Sequence, residues 1–263
     1  GLGYDVGTVG VFERCLFEGN EASEWGGALA NGHLCDSTFV NSVFHDNRAP
    51  RAAGAYIGSS GSPTFINCTF AHNRASVEAG GLYLKNSRQV VPDAPLVVNS
   101  IFWANTNGQI VREDPAPDPM PELTVSYCVV QGGYPDGADI TDVDPLVLYP
   151  ADNGGCIPTM RLGVGSSAVD AGADQATADA AGWGVVIPDH DARMAARPNG
   201  AGIDIGAYED GVAGPLLVVT DPTVTGMWTQ GAVCRGHIAS GAAGVLERGI
   251  ERSTVRGFTP GTG

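Results

Sequence analysis

The sequence predicts an all-β chain wound as a right-handed parallel β-helix, a solenoid, followed by an irregular C-terminal tail. Three observations carry this. A Phe-x-x-Asn motif recurs, with its asparagines at Asn20, Asn47, Asn73 and Asn105. A glycine-centred motif follows the first three copies, with Gly27, Gly54 and Gly81 each 27 residues apart. Glycine accounts for 38 of 263 residues while charged residues make up only 16%, which describes neither a helix bundle nor a disordered chain. Periods of 20 to 50 residues mark stacked arrays.

Each unit reads as short strands rather than helix. Val40-Asn41-Ser42-Val43-Phe44 and Ile66-Asn67-Cys68-Thr69-Phe70 have period two. That alternation expects Val40, Ser42 and Phe44, with Ile66, Cys68 and Phe70, to face inward. Asn41, Val43, Asn67 and Thr69 then face outward. In the glycine motif Ala55 and Ile57, then Leu82 and Leu84, face in, and Tyr56 and Tyr83 face out. Coils stack about 4.8 Å apart, so equivalent residues should form columns. Phe17, Phe44, Phe70 and Phe102 make an interior aromatic column, each ring worth roughly 2–3 kcal/mol by burial. Asn20, Asn47, Asn73 and Asn105 make a ladder at a corner suited to left-handed backbone angles. Gly27, Gly54 and Gly81 permit a corner with positive φ.

Stacking also sets neighbours. Glu21 falls beside Arg48 as an exposed ion pair, and Asp46 falls beside His72 with no nucleophile placed near them. Cys15, Cys68 and Cys128 share a register with Ser42 and Ser100, where a small side chain is required. Cys15 and Cys68 lie two coils, about 9.6 Å, apart, too far for a disulfide. The four prolines of residues 113–121 exclude an internal strand and predict a protruding loop.

The Phe-x-x-Asn copies with Gly26-Gly27-Ala28-Leu29 resemble the repeats of polymorphic outer-membrane proteins. A second stretch runs from Asn99 through Asp142-Val143-Asp144-Pro145 to Asp204-Ile205-Gly206-Ala207-Tyr208-Glu209. It resembles bacterial choice-of-anchor Q surface proteins. Together these resemblances imply an exported, extracellular or cell-surface bacterial protein with a pectate-lyase-like solenoid.

Residues 1–211 are expected to hold the repeats and Asp-rich closing coils, and residues 212–263 to form a separate tail. The first part carries a net charge of −16 and the tail +1. Leu216-Leu217-Val218-Val219-Thr220 reads as a strand, and with Trp228 it resembles the opening of a truncated immunoglobulin-like module. The first residues read as mid-domain material, so a fragment of a longer chain is expected. Among the aspartates of 139–210, Asp189 and Asp191 stand two apart as in calcium loops, making calcium the candidate metal and otherwise no cofactor.

A formal net charge of −15 argues against nucleic acid and anionic membrane as partners. No apolar run reaches the ~18 residues of a membrane span. A glycan or a host or neighbour-cell surface ligand is the expected partner, with Tyr56 and Tyr83 as a sugar-stacking pair. The expected outward strand positions carry no acid, whereas a polysaccharide hydrolase needs two carboxylates. The reading is a non-catalytic adhesive or spacer module. The alternative is a carbohydrate-active enzyme, a polysaccharide lyase or glycoside hydrolase, with its site in loops or in coils outside this fragment.

Overall fold

A computed structural model describes residues 2–3, 9–32, 34–58, 61–85, 94–113 and 123–210, together with the backbone of four short strands beyond residue 215. Most of the Pro-rich 113–121 loop lies outside the described residues, as does Cys234.

The chain is an all-β parallel solenoid. One five-stranded sheet stacks Leu2–Gly3, Leu29–Asn31, Ala55–Ile57, Leu82–Leu84 and Ile110–Arg112. A ten-stranded sheet holds the other two walls, which join at the long strand Thr124–Val130. Its first wall stacks Val11–Glu13, Thr38–Val40, Thr64–Ile66 and Leu96–Val98. Its second stacks Leu16–Glu18, Val43–His45, Thr69–Ala71 and Ile101–Trp103.

Every pairing among these strands is parallel and in register, so Phe17, Phe44, Phe70 and Phe102 lie over one another. Phe44 and Phe70 stack at 4.2 Å and 3°. A second column, Phe12, Phe39 and Phe65, runs beside it. The two columns interlock edge to face, as in Phe39 against Phe44 at 5.9 Å and 67°. The sequence carries this second column as a Phe five residues before each of the first three Phe-x-x-Asn motifs.

The asparagine ladder is continuous. Asn20 donates its side-chain amide to Asn47 Oδ1 at 2.9 Å, Asn47 to Asn73 Oδ1 at 2.8 Å, and Asn73 to Asn105 Oδ1 at 2.8 Å. Each rung also accepts from the backbone N–H of the Asn in the coil before. The left-handed residue at this corner is not the Asn. It is the residue before it: Gly19, Asp46, His72 and Ala104. Positive φ is likewise absent from Gly27, Gly54 and Gly81 and falls instead on Gly26, Ala52 and Ala79. These glycines are needed for space, since a Cβ at Gly54 would strike the carbonyl of Gly81, and one at Gly81 that of Gln109.

The expected alternation fails at one corner. Asn41, Asn67 and Asn99 adopt φ of 49°, 51° and 50°. That turn separates Thr38–Val40 from Val43–His45 and reverses the facing of what precedes it. Val40, Ile66 and Val98 therefore point outward, into a cluster with Ala173, Ala178, Ile187 and Ile203. Cys68 and Cys128 stay inside, where burial pushes each thiol up to about 12. At that register hydroxyls and thiols bond between coils, as when Cys68 N–H donates to Ser100 Oγ at 3.1 Å. Cys15, Cys68, Cys128 and Cys156 form no disulfide.

Residues 142–210 add no parallel coil. They lie as an irregular layer against the outside of the ten-stranded sheet. Val43, Asn67, Thr69, Asn99 and Ile101, expected at the surface, are buried beneath it. The layer contains a short helix, Gln175–Ala181, capped by Asp174 at its start and by left-handed Gly182 at its end.

Residues Val212–Gly263 form a second unit. Within it Leu216–Val219 pairs antiparallel with His237–Ser240, and Met227–Trp228 with Gly231–Ala232. No helix among the described residues is long and apolar enough to cross a membrane.

Candidate functional site

The outer layer is fastened by groups whose residue types would suit catalysis. Arg197 and Glu209 are both fully buried and meet at 2.9 Å. Arg197 also donates to the carbonyls of Asp204 and Gly206, each at 2.7 Å. Glu209 accepts from the N–H of Asn199 and of Asp204. Asp204 is 1% exposed, and burial raises its carboxyl to about 6. Tyr208 lies beneath the Arg193 guanidinium, 3.7 Å from its ring centroid. Gly206 has φ of +101°, and a Cβ there would come within 2.7 Å of Ile101 Cδ1. The Asp204–Glu209 stretch is thus a lock that seats the layer on the coils.

The calcium expectation at Asp189 and Asp191 meets a different arrangement. Asp191 is fully buried. Its oxygens accept from the backbone N–H of Arg193, Ala195 and Glu209 and from the Arg193 guanidinium. Asp189 is exposed and pairs with its neighbour His190 at 2.6 Å. A carboxylate whose lone pairs all face donors has none left for a hard cation. Among the described residues no cluster of three or more acidic, His or Cys groups could hold a metal.

Tyr56 and Tyr83 do stack, at 6.1 Å and 12°. Trp25 lies across both at 5.1 and 5.4 Å, and Arg51 sits over Trp25. Tyr83 is left 3% exposed, and burial pushes its phenol up to about 12. Tyr83 thus offers no open aromatic face for a sugar, while Tyr56 is half-buried against Trp25. Glu21 and Arg48 are adjacent in backbone register, but the Arg48 guanidinium turns to Asp46 at 2.9 Å. Arg74 shares Asp46 from the next coil at 3.2 Å.

The open concavity lies at the far end of the solenoid. It encloses about 1070 Å³. One wall is the start of Thr124–Val130 with the strand Ala138–Thr141; the other is the Gln175–Ala181 helix and Trp183. Tyr127 and Trp183 meet edge to face at 6.2 Å, both half-buried. Around them stand the exposed carboxylates Asp136, Asp139 and Asp174, with Thr124 and Thr177 between. Arg112 reaches Asp136 at 3.4 Å. Asp174 accepts from Thr177 N–H and Oγ1 at 2.8 and 2.7 Å, and these bonds hold its carboxyl below the usual range.

Chemically, this groove presents aromatic surface for stacking and carboxylates that accept hydroxyl hydrogen bonds. A general acid needs a carboxyl raised toward neutrality; Asp174 moves the other way. Sequence reasoning missed Tyr127 and Trp183 because they meet across 56 positions through the aperiodic layer.

No curated protein and no solved structure matches the chain. The model of the family described as "Right handed beta helix region" matches residues 2–146, more than half of the chain, which therefore belongs to that family.

Proposed function

We propose that this chain is an exported bacterial cell-surface β-helix module that binds a glycan without transforming it, and that the groove at the end of the solenoid is its binding site. The carrying observation is the pairing of Tyr127 and Trp183 at 6.2 Å in an open concavity rimmed by Asp136, Asp139 and Asp174. Saccharide rings have an apolar face suited to aromatic stacking and hydroxyls suited to carboxylate acceptors. Two further points support a binding role. The buried acids of the closing stretch are engaged in holding the layer, and the Thr177 bonds shift the Asp174 carboxyl in the wrong direction for acid catalysis. Export and surface display follow from the sequence resemblances and are part of the proposal.

The test is a glycan array with the wild-type chain and Trp183→Ala, followed by incubation with each bound polysaccharide. Binding that fails in Trp183→Ala, with no new reducing ends and no unsaturated uronate, is the expected result. Release of either product would establish the enzyme reading instead.

A further inference from the structure

A second polar cluster lies outside the groove. His45 ends the strand Val43–His45 and is 7% exposed. Its Nδ1 lies 2.9 Å from Glu18 Oε1 in the coil before. A carboxylate oxygen only accepts, so Nδ1 carries a proton, and in the uncharged ring Nε2 then presents a bare lone pair. Nε2 is buried and has no hydrogen-bond partner. In the coil after, the His72 ring stands 5.7 Å away at 81°. Tyr149, from the outer layer, stacks on His72 at 5.0 Å and 9° and meets His45 at 5.8 Å and 90°. Tyr149 is itself 69% exposed, so it lies over the two imidazoles as a surface cover.

The charges around the pair disfavour a proton on His72. Glu18 is held by His45. Asp46 is shared between Arg48 and Arg74. Burial, His45 and Arg74 together hold the His72 imidazole below its ordinary range, against the pull of Asp46. Tyr149 is the titratable group that the outer layer brings against it. A stacked imidazolium gains little from an exposed tyrosine face. Leaving a buried acceptor such as His45 Nε2 without a donor works against the covered state.

We propose that His45, His72 and Tyr149 form an acid-released latch: with both imidazoles uncharged Tyr149 covers the His45 lone pair, and protonation of His72 lifts the 148–152 arm and uncovers it. The sign follows from the depressed His72. Closure is unopposed above the pKa that His72 has when uncovered and is lost as pH falls from there through the lower pKa of the covered state. The arm is held by the Ala151 N–H on the Thr159 carbonyl at 3.1 Å, by the Thr159 N–H on the Ala151 carbonyl at 3.0 Å and by the Leu148 N–H on the Arg161 carbonyl at 2.8 Å. The layer beneath is anchored separately by Val147 and Leu162, packed beside Ile101 and Val129.

Hydrogen exchange of the whole chain, followed by NMR at about pH 7.5 and about pH 5.5, tests this. The Ala151 amide should lose about tenfold protection at the lower pH, beyond the intrinsic change in exchange chemistry. The Gly163 amide, bonded to the Leu146 carbonyl, should keep its protection and so report that the layer remains folded. In His72→Gln the Ala151 protection should not change with pH; in Tyr149→Ala it should be low at both. Equal Ala151 protection in the wild type at the two pH values, or an equal fall in His72→Gln, would overturn the latch.

Discussion

Asn99 and Ala173 exchange two hydrogen bonds across 74 positions of sequence: Ala173 N–H donates to Asn99 Oδ1 at 2.8 Å, and Asn99 Nδ2 donates to the Ala173 carbonyl at 2.9 Å. The left-handed corner aims the Asn99 amide outward, where it serves the layer as a neighbouring strand would. Asn41 and Asn67 do the same for the carbonyls of His190 and Asp204. A column of one residue type thus carries two jobs: turning each coil and hooking the layer.

Replacing Asn99 with Ala removes both bonds and leaves a buried N–H and C=O of Ala173 unpaired. The expected cost is about 2–4 kcal/mol, read as a lower urea midpoint with unchanged slope.

Removing one partner of the buried Arg197–Glu209 pair leaves an uncompensated charge. Glu209→Gln should destabilise by about 3–5 kcal/mol. A double replacement, Arg197→Met with Glu209→Leu, also orphans the carbonyls of Asp204 and Gly206 and the N–H groups of Asn199 and Asp204, so it should cost more than Glu209→Gln, measured by the same denaturation series.

In the ladder, Asn73→Asp keeps the acceptor for Asn47 but loses both donors, to Phe44 O and Asn105 Oδ1. Carboxylate then faces oxygen on two sides. A loss of about 2–4 kcal/mol is expected, and Asn73→Ala should be no worse, by thermal melts of both variants.

Asp204 binds its proton more tightly folded than unfolded, since burial raises it to about 6 from 3.8. Its contribution is therefore present below the unfolded value and is lost as pH rises through about 6. Asp204→Asn should flatten that part of the stability profile, measured by chemical denaturation across the range. A wild-type and variant profile of identical slope there would contradict the assignment.

Calcium should have no effect. With Asp191 saturated by donors, neither added calcium nor excess EDTA should shift Tm.

The columns were legible in the sequence because parallel in-register stacking places like residues over like. Phe44 over Phe70 and Asn47 over Asn73 follow from spacing alone. The facing of Val40 and Ile66 was not legible, because strict alternation assumes a straight strand and Asn41 and Asn67 bend it. The outer layer was less legible still. Its contacts, such as Asn67 to Asp204, span 137 positions and follow no period. Its closing Asp204–Glu209 stretch stood out by resemblance, but that Gly206 must clear Ile101, and that Glu209 answers Arg197, needed the packed structure. The groove depends on the layer and was hidden with it.

The corner asparagines bear on how the molecule comes apart. A bare solenoid melts by fraying, one coil after another, because each touches only its neighbours. Here a single strap crosses from the coil of Asn41 to that of Asn99, so those coils should unfold together in one sharp event rather than peel away from the ends.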